Sequence, residues 1–83
     1  MVGLVLYGTQ GCHLCDIAEQ LVASTLDLNV LSVELVDIAY DDQLIERYAV
    51  RIPVIMDIDS GAELGWPFDI QRLTEFVAKA AIS

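Results

Sequence analysis

The sequence predicts an α/β chain of element order βαβαββα: a four-stranded mixed sheet with helices on both faces. Three observations carry this. The apolar run Leu4-Val5-Leu6-Tyr7 stops at Gly8, which suits a strand buried on both faces. The pattern is then helical from about residue 12 to 26 and alternating from 29 to 37, so two strands flank a helix and pair in parallel through a right-handed crossover. After Pro53, two short apolar runs separated by Asp59-Ser60-Gly61 read as an antiparallel hairpin, followed by a last amphipathic helix.

Taken in order, the first strand should be central in its sheet. In the first helix, Cys12 to Leu26, the residues Leu14, Ile17, Ala18, Leu21, Val22 and Thr25 recur at helical spacing, while Asp16, Glu19 and Gln20 turn outward. The second strand, Asn29 to Asp37, puts Leu31, Val33 and Leu35 on one face and Ser32 and Glu34 on the other. Tyr40-Asp41-Asp42 supplies an N-cap for a short helix whose apolar side is Leu44, Ile45, Tyr48 and Ala49. That helix must end before Arg51-Ile52-Pro53, because the residue preceding a proline avoids helical dihedrals. Pro53 to Asp57 forms the third strand and Ala62 to Leu64 its hairpin partner. Gly65-Trp66-Pro67-Phe68 breaks the chain, and Ile70, Leu73, Phe76, Val77 and Ala80 complete the final helix, with Asp69 as its cap or first-turn acid.

The chain has 83 residues, which matches one domain over 1–83 with one modest core, and 55% of it is hydrophobic. No apolar run reaches the roughly 18 residues of a spanning helix, and the first residues lack a basic region and cleavage site. A cytoplasmic protein is expected. Thirteen acidic against four basic residues give a formal charge of −9, which repels nucleic acid and anionic membrane and favours a basic protein face as partner. The same charge also serves as a solubilising surface on an apolar chain.

The chemistry concentrates in Gly8-Thr9-Gln10-Gly11-Cys12-His13-Leu14-Cys15-Asp16, which holds both cysteines. A thiol at a helix start faces unpaired N–H groups and the positive end of the macrodipole, and both favour thiolate. Cys12 is therefore the candidate nucleophile, and Cys15, one turn on, is placed to attack a mixed disulfide formed on Cys12. The same spacing serves half a zinc site, but structural zinc takes about four ligands and the chain offers two cysteines and His13. No metal is expected. Two buried inert cysteines are the other plain reading; the flanking glycines and the helix start argue for exposure.

These features together resemble a small glutaredoxin-like member of the thioredoxin superfamily. The resemblance rests on Tyr7-Gly8 ending a strand, Gly11-Cys12-His13-Leu14-Cys15 opening a helix, Ile52-Pro53 about 40 residues on, and Gly65 before the last helix. It implies a thioredoxin-like, glutaredoxin-type fold and a cis Ile52–Pro53 bond beside the cysteines. A cis turn of that kind exposes the Ile52 N–H and C=O for strand-like pairing with a substrate. Many relatives that use glutathione carry a basic residue a few positions before the first cysteine, where this chain has Thr9 and Gln10. Pro67 also removes a donor in the segment before the last helix. Arg47 and Arg51, the latter next to the Ile52-Pro53 turn, are either substitute ligands for a substrate carboxylate or solvated helix-end residues. His13 either lowers the Cys12 pKa or points into solvent. Trp66 either walls the site or, like Phe68, staples the last helix to the sheet. Tyr7 faces the site or the core.

The function expected from the resemblance is a monomeric dithiol oxidoreductase in cell redox homeostasis. Cys12 and Cys15 are catalytic, and Ile52, Pro53, His13, Arg51 and Trp66 contact the substrate. No cofactor is required; glutathione or a reductase is the candidate electron donor, and a protein or small-molecule disulfide the substrate. The alternative is a non-catalytic glutaredoxin-like module that binds a protein partner or shares a metal or iron–sulfur site between two chains.

Overall fold

A computed structural model describes residues 2–82. The elements are β1 (Val2–Gly8), α1 (His13–Thr25), β2 (Leu31–Asp37), α2 (Asp42–Tyr48), β3 (Val54–Asp57), β4 (Glu63–Gly65) and α3 (Ile70–Ile82), with a 3₁₀ turn at Ile38–Tyr40 before α2. The sheet order is β2-β1-β3-β4. β1 and β2 are parallel with Leu4 opposite Val33, β1 and β3 antiparallel with Leu6 opposite Ile55, and β3 and β4 antiparallel with Ile55 opposite Leu64. This is the mixed four-stranded thioredoxin-like arrangement that the element order predicts.

The central position of β1 explains its unbroken apolar run, since Leu4, Val5 and Leu6 are all buried. On one face Leu4, Leu6 and Ile55 pack with Ala18 and Val22 of α1 and Leu73 of α3, and Phe68 joins them. On the other face Val54 packs with Ile38 and Tyr48, and Tyr7, Leu44 and Ile52 lie against that cluster. Helices therefore cover both faces. Among the described residues, no helix is long and apolar enough to cross a membrane.

Local chemistry sets the boundaries. Asp41 caps α2 by accepting from the N–H groups of Gln43 at 2.9 Å and Leu44 at 3.3 Å. Asp69 Oδ1 accepts the Arg72 N–H at 2.8 Å, so the cap reading of Asp69 holds. In the hairpin, buried Asp57 accepts the Ser60 hydroxyl at 2.7 Å, and Gly61 takes a φ of 76° that a side chain would disfavour.

Three differences from the sequence reading have physical causes. β2 begins at Leu31 rather than Asn29, because Asp27 holds a turn, accepting the Asn29 N–H on its side chain and the Val30 N–H on its carbonyl. The 3₁₀ turn was not foreseen; Asp37 caps it by accepting the Ala39 N–H at 2.9 Å, and Ile38 is its buried residue. Leu35, expected on one face with Leu31 and Val33, does share it but is 56% exposed where Leu31 is buried, because this end of the edge strand opens onto a crevice beside α1.

Candidate redox site

The site forms where β1 runs out. Gly8 ends the central strand, Gly11 turns the loop with a φ of 79°, and α1 begins one residue after Cys12. Cys12 is the N-cap rather than the first helical residue: its backbone is extended, its carbonyl accepts the Asp16 N–H at 3.2 Å, and its Sγ accepts the Cys15 N–H at 3.1 Å. A sulfur in that position receives one of the helix's otherwise unpaired N–H groups, which favours negative charge on it. Cys12 and Cys15 are joined in a disulfide with Cα atoms 5.2 Å apart. Cys12 is half-buried, while Cys15 is 8% exposed and faces inward. Cys12 is thus the more exposed of the two sulfur-bearing residues, with Cys15 held behind it.

Gly8 makes this packing fit. A Cβ built on it would lie 3.1 Å from Cys15 Sγ and 3.2 Å from Cys15 Cβ. The sequence reading used Gly8 only as a strand end, and its contact with the disulfide was missed. A crevice of about 310 Å³ adjoins the inner sulfur, between the ends of β1 and β2 and the first turns of α1.

The Ile52-Pro53 turn comes to the same end of the sheet, since it leads into Val54, opposite Tyr7. The Ile52–Pro53 peptide bond is cis, as is Trp66–Pro67. Pro53 is fully buried, and its carbonyl accepts the Trp66 N–H at 3.1 Å. One expectation needs correction: the Ile52 N–H is not free to pair with a substrate strand. It donates to the Tyr48 carbonyl at 3.0 Å, which also accepts the Arg51 N–H at 2.7 Å. The last turn of α2 tightens onto the loop and takes up that donor, leaving the Ile52 carbonyl as the remaining main-chain group there.

Arg51 has a partner too. Its guanidinium donates to Glu63 Oε1 at 2.8 Å, and Arg47 lies 3.7 Å from Glu63 Oε2. The Tyr48 hydroxyl donates to the same carboxylate, the Tyr48 ring stacks on Tyr7 with centroids 4.4 Å apart, and both arginines sit over that ring at 5.4 and 5.3 Å. Burial, then the Glu63 hydrogen bond and charge, push the Tyr48 phenol up to about 12. The Tyr48 hydrogen bond, followed by Arg51, holds the Glu63 carboxyl below the ordinary carboxylate range. Tyr7 is therefore a packing residue beneath this network, and Glu63 is a residue the sequence reading did not single out.

His13 is exposed at the first position of α1, and its side chain makes no hydrogen bond or ion pair among the described residues. Phe68 is buried and meets the half-buried Trp66 edge-on at 5.1 Å, so both fasten the chain before α3 to the sheet. Trp66 additionally walls a shallow groove between α1 and α3 with Ile17, Leu21 and Ile70.

Comparison with known proteins agrees with this picture. The family model described as glutaredoxin-like domain (DUF836) matches residues 3–78. The X-ray structure of Northeast Structural Genomics target protein XcR50 from X. campestris is 37% identical, covering 92% of this chain and 96% of that one, with a TM-score of 0.80. Its solution structure gives 37% identity, 95% coverage of each chain and a TM-score of 0.77. The solution structure of protein Ne2328 from Nitrosomonas europaea is 29% identical over 90% of this chain and 89% of that one, with a TM-score of 0.65. No curated protein matches.

Proposed function

We propose, from the premise that this chain belongs to the glutaredoxin-like domain family (DUF836), that it is a cytoplasmic dithiol–disulfide oxidoreductase. The observation that carries the reading is the asymmetric pair: Cys12 is half-buried at the N-cap, and Cys15 is buried one turn behind it.

In the reduced protein the Cys12 thiolate attacks one sulfur of a partner disulfide. The partner's S–S bond breaks, and its other sulfur leaves as a thiolate that takes a proton from water. Cys15 then gives up its proton and attacks Cys12 Sγ in the mixed disulfide. The Cys12–partner bond breaks, the second partner thiolate departs, and the Cys12–Cys15 bond forms. Two electrons have passed to the partner. An external thiol reductant, with glutathione as the candidate, reverses the sequence on the protein. The helix start stabilises Cys12 thiolate both as nucleophile and as leaving group.

A Cys15→Ser variant of the reduced protein is expected to stop after the first attack and accumulate a mixed disulfide on Cys12, seen as an adduct by mass spectrometry and absent from Cys12→Ser. Absence of any adduct with small or protein disulfides would sink the proposal.

A further inference from the structure

We propose that the crevice beside Cys15 receives a lysine or arginine side chain flanking the reactive cysteine of the redox partner, so that the preferred substrates are disulfides in basic segments. The inference rests on the oxidoreductase reading above and names its substrate class.

The crevice has an apolar floor and an acidic rim. Leu6, Leu35 and Val36 line it from the sheet, and Leu35 stays 56% exposed although strand alternation turns it to the inner face. Asp16 and Glu19 stand on it from α1, and Asp37 closes it at the end of β2. No basic residue lines it. Of the four basic residues in the chain, Arg47 and Arg51 are engaged with Glu63, and Arg72 and Lys79 lie on α3. The three carboxylates form no metal-holding group among the described residues, so a small dehydrated cation is not the matching ligand. Lysine and arginine fit both parts, since their methylene stems lie along apolar surface while the charged heads stay at the rim. Cys15 lines the same crevice, so a side chain bound there lies on the inner-sulfur side of the disulfide, one helical turn from Cys12. Glutathione, with two carboxylates and one ammonium, meets the rim with the wrong net sign.

The test uses three symmetric peptide disulfides that differ in one residue next to the cysteine: lysine, glutamine or glutamate. Each is reduced by the dithiol form of the full chain, and peptide thiol is followed after acid quench. We expect the lysine peptide to react about three to ten times faster than the glutamine peptide, and the glutamate peptide slower than both. The double variant Asp16→Asn with Glu19→Gln should bring the three rates together. Glu34→Gln with Glu75→Gln changes net charge equally but lies outside the crevice, and should preserve the ranking. Because only ratios between peptides are compared, a change in Cys12 reactivity caused by the nearby Asp16 substitution cancels. Equal rates for the three peptides in the unaltered protein, or equal loss of ranking in both double variants, overturns the crevice assignment while leaving the oxidoreductase reading intact. If none of the three is reduced, that reading itself fails and the proposal fails with it.

Discussion

A methyl group on Gly8 would press on both the sulfur and the Cβ of Cys15, at 3.1 and 3.2 Å, and Cys15 is held by its helix and by burial. Gly8→Ala is therefore expected to destabilise the oxidised protein by about 1–3 kcal/mol through overpacking, read as a shift in the urea midpoint. An unchanged midpoint would show that the helix moves away at no cost. Tyr48 gives a pH prediction. Its folded pKa of about 12 lies above the ordinary 10.0, so its contribution is fully present below about pH 10 and is lost as pH rises toward 12. Glu63 is shifted down from 4.5, so its contribution is present at neutral pH and declines as pH falls below 4.5. Tyr48→Phe should lose about 1–2 kcal/mol at pH 7 and flatten the alkaline limb of the stability profile, both measurable by urea unfolding across pH. An alkaline limb that persists in the variant would assign it elsewhere. At this scale the cysteine pair was legible because both sulfurs lie within one helical turn. The Tyr48–Glu63–Arg51 network was not, because it joins α2 to β4 across 15 residues, and which side chains meet there depends on strand register.

Periodicity located the helices but overstated their buried stripes: Ala18 and Val22 in α1 and Leu73 in α3 are buried, while Leu14, Ile17 and Ile70 are 45%, 39% and 59% exposed. It reported caps well where an acid precedes the stripe. Asp69→Ala should cost about 1 kcal/mol by removing the acceptor for the Arg72 N–H, seen as a lower thermal midpoint, and Asp69→Asn should restore most of it. If Ala and Asn behave alike, the cap is not what holds that end. Strand alternation was less complete a guide. It put Leu31, Val33 and Leu35 on one face, which is right, but a face says nothing of whether a helix covers it, and α1 leaves Leu35 open. The Ile52 N–H shows the same limit: the proline marked the turn, while the bond to the Tyr48 carbonyl depends on how α2 ends.

For the molecule as a whole, the element order was enough to place the sheet, because a central apolar strand, a parallel crossover and a hairpin leave few ways to arrange four strands. That topology brings the end of β1, the start of α1 and the turn into β3 to one end of the sheet, where the disulfide sits. The excess of acid over base also becomes local there: Asp16, Glu19 and Asp37 line the crevice, while Arg47 and Arg51 are drawn onto Glu63. The central claim is that the Cys12–Cys15 bond is a working redox couple and not a staple. The most direct measurement is an equilibrium titration of the pair in glutathione redox buffers, read by mass spectrometry after acid quench and alkylation. We predict a reversible two-electron transition between about −180 and −270 mV, in the range of exchange catalysts. A disulfide that stays oxidised to below about −300 mV, or a pair that forms no intramolecular disulfide at any buffer ratio, would contradict the account.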